Sequence, residues 1–78
     1  MLSLFGKRYA DGQRLDIGGV PLRLKVNPQA RRITLRIDAH TREAVAVAPS
    51  ISALGHAIDF ARERKTWLRI QLAALPAP

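Results

Sequence analysis

The spacing of apolar residues changes once along this chain, at Pro49, and that single change constrains the fold more than any other feature. Before it, apolar side chains recur at every second position: Leu15 and Ile17, then Leu22, Leu24 and Val26, then Ile33, Leu35 and Ile37, then Val45 and Val47. After it they recur every third or fourth: Leu54, Ala57, Ile58, Ala61, Leu68, Leu72 and Leu75. A period of two belongs to strands with one face turned to a core, and a period near 3.6 belongs to an amphipathic helix. The expected fold class is therefore α+β: an antiparallel sheet of three or four strands, with one long C-terminal helix packed on one face.

The breaks between the strand-like runs carry their own chemistry. Gly18-Gly19 separates two alternating runs and predicts a two-residue hairpin, because glycine accepts the positive φ that such turns require. Pro21 lacks an N–H and belongs at a strand start or on an edge. Asn27-Pro28-Gln29 ends the second run. The third run, Arg32 to Asp38, alternates most cleanly, and a polar connection over 39–42 leads into Glu43–Ala48. In that last run Val45 and Val47 share one face, and Ala44, Ala46 and Ala48 share the other.

The helix is expected to start at Ser50 or Ser52, both suitable N-caps, and to stop at Pro76. A helix of about 23 residues is roughly 34 Å long, whereas strands of six or seven residues span about 20–23 Å. The sheet is too short to cover such a helix. Lys65 also interrupts the apolar stripe. Trp67, Leu68, Ile70, Leu72 and Leu75 beyond it are thus predicted to form a partner interface, unless Leu4, Phe5 and Tyr9 fold back over them. Residues 1–13 read as a mobile segment, 14–75 as one domain, and 76–78 as a linker or truncated end.

A chain of 78 residues makes one domain at most. Its 47% hydrophobic content is enough for a core, with few aromatics to fill it. The absence of cysteine excludes disulfides, thiolate metal sites and a cysteine nucleophile. It also fits a cytoplasmic location. No apolar run approaches the roughly 20 residues that span a bilayer, so no membrane association is expected.

Thirteen Lys and Arg oppose six Asp and Glu, for a net charge of +7. Alternation places Arg23, Lys25, Arg32 and Arg36 on the sheet face opposite the core, with Arg31 beside them. These five are the candidate anion-binding residues, since guanidinium forks match phosphate oxygens. The face has no exposed aromatic, which argues against stacking single-stranded bases. Catalytic and metal-binding candidates are absent. His40 and His56 lack a ligand partner at helical spacing. The carboxylates do not pair for acid/base work: Asp59 and Glu63 are expected to pair with Arg62, Arg64 or other basic neighbours instead.

Taken together, Val20-Pro21-Leu22-Arg23-Leu24, Ala30-Arg31-Arg32-Ile33-Thr34-Leu35-Arg36-Ile37-Asp38, Val45-Ala46-Val47-Ala48-Pro49 and the helix from Ala57 through Trp67-Leu68 resemble the start of the YgjP-like metallohydrolase family. The similarity covers roughly residues 14–75. Members of that family are zinc-dependent hydrolases, usually described as metallopeptidases, with nucleoside triphosphate pyrophosphatase activity assigned in one lineage. Their zinc ligands and general base lie in an H-E-x-x-H helix and a later histidine, C-terminal to the matched segment. The resemblance carries no catalytic or metal residue onto this chain, and zinc is expected only in a full-length relative.

It implies a non-catalytic N-terminal lobe that braces a missing C-terminal catalytic lobe and presents a basic surface to an anionic substrate. Two alternatives stand beside it. One is a small basic nucleic-acid-binding module. The other is an adaptor that self-associates through the helix end.

Overall fold

The computed structural model describes residues 9–77. Leu4 and Phe5, and most of the expected mobile segment, lie outside the described residues. Four strands, β1 (Arg14–Asp16), β2 (Pro21–Val26), β3 (Thr34–Asp38) and β4 (Glu43–Ala48), precede a 3-10 turn over Ile51–Ala53. Two helices, α1 (Leu54–Glu63) and α2 (Lys65–Ala73), complete the domain. No helix among the described residues is long and apolar enough to cross a membrane.

The α+β class is as expected, but two of its details are not. The sheet is mixed: its order is β1-β2-β4-β3, and β2 pairs with β4 in parallel while both other pairings are antiparallel. The reason lies in β4. All six residues of Glu-Ala-Val-Ala-Val-Ala are buried, and a strand apolar on both faces belongs in the middle of a sheet. β3 folds back on β4 as a hairpin and is displaced to the edge, so β4 slides between β2 and β3. The strand with charged and polar residues, Thr34, Arg36 and Asp38, takes the edge, where charge discourages uncontrolled pairing.

The second correction concerns the helix, which is two helices. Arg64 leaves helical geometry at φ −110, ψ 22, although neither proline nor glycine lies nearby. The bend answers the length problem. α1 lays Leu54, Ala57, Ile58 and Ala61 on the sheet, and α2 then turns to bury Leu68 in the same core. The start also differs from expectation. Ser50 and Ser52 bond each other through their hydroxyls at 3.0 Å. Neither side chain caps a backbone amide, and the chain enters α1 through the 3-10 turn.

The β1–β2 hairpin forms at Gly18-Gly19, both at positive φ (64 and 91), with the Ile17 amide donating to the Val20 carbonyl at 3.0 Å. Pro21 is the first residue of β2. Residues 11–13 are tied to the sheet. The Gly12 amide donates to the Leu24 carbonyl, the Leu24 amide to the Gln13 carbonyl, and the Val26 amide to Asp11 Oδ1, each at 2.8 Å. Tyr9 packs against the core with its ring 3.8 Å from the position a Cβ would take on Gly55, at the start of α1. It therefore covers the opposite end of the helical layer from Leu75.

The core lies between the sheet and the helices, and β4 presents its alanines to it. Ala44, Ala46 and Ala48 join Leu22, Leu24, Leu54, Ile58 and Leu68 there. Val45 and Val47 lie on the outer face, buried there between strand neighbours: Arg23 and Arg36 flank Val45, while Lys25 and Thr34 flank Val47. Small residues in the central strand let α1 approach closely, and the branched side chains are shielded by the stems of long neighbours.

Candidate interaction surface

The outer face of the sheet resolves the five candidate cations into two sets. Arg23, from the middle of β2, reaches across β4. Its guanidinium donates to Asp38 Oδ2 at 2.8 Å and to Glu43 Oε1 at 3.3 Å. Arg14, its directly opposed neighbour on β1, donates to Glu43 Oε2 at 2.7 Å. Two arginines facing each other across a strand pair repel, and the nearly buried carboxylate of Glu43 between them converts that repulsion into a four-residue network.

Hydrogen bonding from Arg23 is the main reason the Asp38 carboxyl is held down to about 2. The Thr41 amide adds to it, and the side chain also bonds the His40 amide to shape the turn into β4. Glu43 is likewise held below the usual carboxylate range, first by its bond from Arg14 and against the cost of burial. Arg23 is therefore committed to the protein's own carboxylates. Parity sets Asp38 with Thr34 and Arg36, and Glu43 with Val45, but only the order β2-β4-β3 brings both carboxylates to Arg23.

Lys25, Arg31, Arg32 and Arg36 are exposed and have no carboxylate within ion-pair distance among the described residues. Lys25 and Arg36 stand on the outer face as alternation requires. Arg32 does not, because β3 begins only at Thr34. Instead Arg32 lines an open groove of about 500 Å³ between the start of β3 and the α1–α2 bend, together with Ile33, Thr34, Leu35, Phe60, Arg64 and Trp67. The Arg64 guanidinium lies 4.0 Å above the Phe60 ring, close enough for a cation–π contact. Arg64 also meets Glu63 at 3.5 Å, and Arg62 meets Asp59 at 3.8 Å. Both are exposed pairs of small energetic value. Sequence periodicity placed Phe60 and Trp67 only at the flanks of a helix, and the groove arises from a bend that periodicity does not encode.

The five residues of the helix end separate in the same way. Trp67 is 47% and Ile70 58% exposed. Leu72 and Leu75 are half-buried. Leu68 is fully enclosed by this chain and offers nothing to a partner. Lys65 does not project from an apolar stripe: it lies over the hairpin turn, its Nζ 2.8 Å from where a Cβ on Gly18 would sit. Arg69 donates to the Gly18 carbonyl at 2.9 Å. Arg42, at φ 59, donates to the carbonyl of Pro76 at 2.8 Å and holds the end of the helical layer against the β3–β4 turn.

Among the described residues, no three His, Asp or Glu side chains gather to hold a metal ion, so the residues present do not fit a zinc site. No family model, curated protein or solved structure compared with this chain matches it.

Proposed function

We propose that this chain is the non-catalytic N-terminal lobe of a zinc-dependent metallohydrolase, and that it braces a catalytic lobe through the outer side of α2. The reading draws its family from the resemblance over residues 14–75. The observation that carries it is the exposure of Trp67 and Ile70, two large apolar side chains three residues apart on one helix. Leu72 lies on the opposite side of α2 from Ile70, half-buried against the core, and Leu75 follows the end of that helix. Zinc and its ligands belong to the catalytic lobe in this reading.

Trp67 supplies the test, because it is the sole tryptophan. Its emission in the isolated chain should be red-shifted and readily quenched. In a longer product of the same reading frame, carrying an H-E-x-x-H segment, it should shift to the blue and resist quenching. A frame without that segment, or unchanged Trp67 emission in the longer protein, refutes the reading.

Arg31, Arg32 and Arg36 would present a basic surface to an anionic substrate of that enzyme. Nucleoside triphosphate at millimolar concentration should move the backbone amides of residues 31–36, and no movement removes this part. Lys25, Arg31, Arg32 and Arg36, exposed and without carboxylate partners among the described residues, also favour a second reading, a small nucleic-acid-binding module. It requires affinity for RNA or DNA that falls steeply with salt, and undetectable binding at about 50 mM salt ends it.

A further inference from the structure

β3 ends the sheet, so its outer edge has no strand partner among the described residues. An edge of this kind is a template for another extended chain. Natural edges of this sort are used by peptides that add a strand: main-chain bonds supply affinity and alternate side chains supply specificity. Here the edge opens directly onto the groove bounded by Leu35, Phe60, Arg64 and Trp67.

The side chains on either side of that edge define what would fit. A fifth strand beside β3 would turn alternate residues toward the groove, where Leu35, Phe60 and Trp67 present apolar surface and a half-exposed indole. Its other residues would face outward beside Thr34 and Arg36. Cross-strand neighbours stand about 4.5–5.5 Å apart at Cβ, within reach of a carboxylate on Arg36. Arg32 and Arg64 flank the groove and carry the same charge. The complement is an extended segment that alternates apolar and acidic residues.

The geometry points to the outer edge of β3 and its groove as a docking site for such an acidic, extended segment of a separate polypeptide, added to the sheet as a fifth strand. This inference shares Trp67 and Arg32 with the metallohydrolase reading but not Ile70, which does not line the groove, and the peptide titration below decides it whatever the longer reading frame encodes. Charge disfavours a second copy of this chain at the same edge in the antiparallel register centred on Arg36, which sets arginine against arginine, and sedimentation tests the registers that avoid it. Single-stranded nucleic acid is disfavoured by the shortage of stacking platforms: the Arg64 guanidinium already covers one face of Phe60, and successive bases need successive open rings.

The test uses the isotope-labelled 78-residue chain and a blocked eight-residue peptide alternating valine and glutamate. Saturable movement of the Thr34–Asp38 amides and the Trp67 indole is expected. N-methylation of the peptide on its pairing edge should weaken binding about tenfold or more, because it removes the main-chain donors and leaves the side chains. Replacing glutamate by lysine should abolish binding, and Arg32→Glu with Arg64→Glu should weaken it about tenfold.

The idea is overturned by no saturable shift up to about 1 mM peptide, or by equal binding of the N-methylated or lysine peptide. It is also overturned by stronger movement of the same amides with oligothymidine, or by sedimentation showing that the chain pairs with itself through β3. If the double variant is unfolded, the peptide comparisons on the unaltered chain decide alone.

Discussion

Ala46→Leu is the substitution that most directly probes how this domain is layered. Ala46 sits at the middle of the central strand, fully buried, with Leu24 opposite it on β2 and Leu35 opposite it on β3. α1 packs over the same face. An isobutyl group there has leucines on both flanks and a helix above, so it must displace the helix or adopt a poor rotamer. Overpacking of this kind costs about 1–3 kcal/mol, against a total of about 3–5 kcal/mol for a scaffold of this size.

A loss of ~2 kcal/mol lowers the melting temperature of a 60–100-residue domain by about 8–16 °C. Thermal and urea unfolding followed by far-ultraviolet circular dichroism measure it. Val45→Leu is the matched control. It adds bulk one residue away on the outer face, where only the stems of Arg23 and Arg36 must yield, and should cost less than about 1 kcal/mol. A neutral Ala46→Leu beside a disruptive Val45→Leu would mean that the two faces of β4 have been assigned the wrong way round.

Three further outcomes follow from the packing and the charge network. Leu68→Ala should cost about 2–5 kcal/mol and leave much of the population unfolded, whereas Ile70→Ala should change urea stability by less than about 0.5 kcal/mol; equal effects would contradict the burial of Leu68 against an exposed Ile70. Asp38 and Glu43 both have lowered pKa values. Their stabilisation is therefore complete above the unfolded carboxylate range and is lost as pH falls below it, for Asp38 as pH approaches about 2. Asp38→Asn with Glu43→Gln should flatten that part of the melting-temperature profile, and an unchanged acid limb would refute the network's role. Gly18→Ala forces a Cβ onto a position at φ 64 that also meets Lys65, and should cost about 1–2 kcal/mol by urea unfolding. Gly18→Asn should cost less, since asparagine tolerates that region, and parity between the two would argue against the turn geometry.

The sequence by itself determined the α+β class, the four strand segments in outline, the Gly18-Gly19 hairpin and that Asp59 and Glu63 find basic partners on their own helix. Each of these follows from residues close together in the chain: a period of two or 3.6, a pair of glycines, a helical offset of three. Tertiary structure alone decided that β4 lies between β2 and β3, that the helix breaks at Arg64, and that Arg23 is neutralised while Arg32 flanks a groove. Strand order depends on which segment must hide both faces, and the break at Arg64 carries no proline or glycine to announce it. Both outcomes are set by burial summed over residues distant in sequence, and no local pattern records that sum.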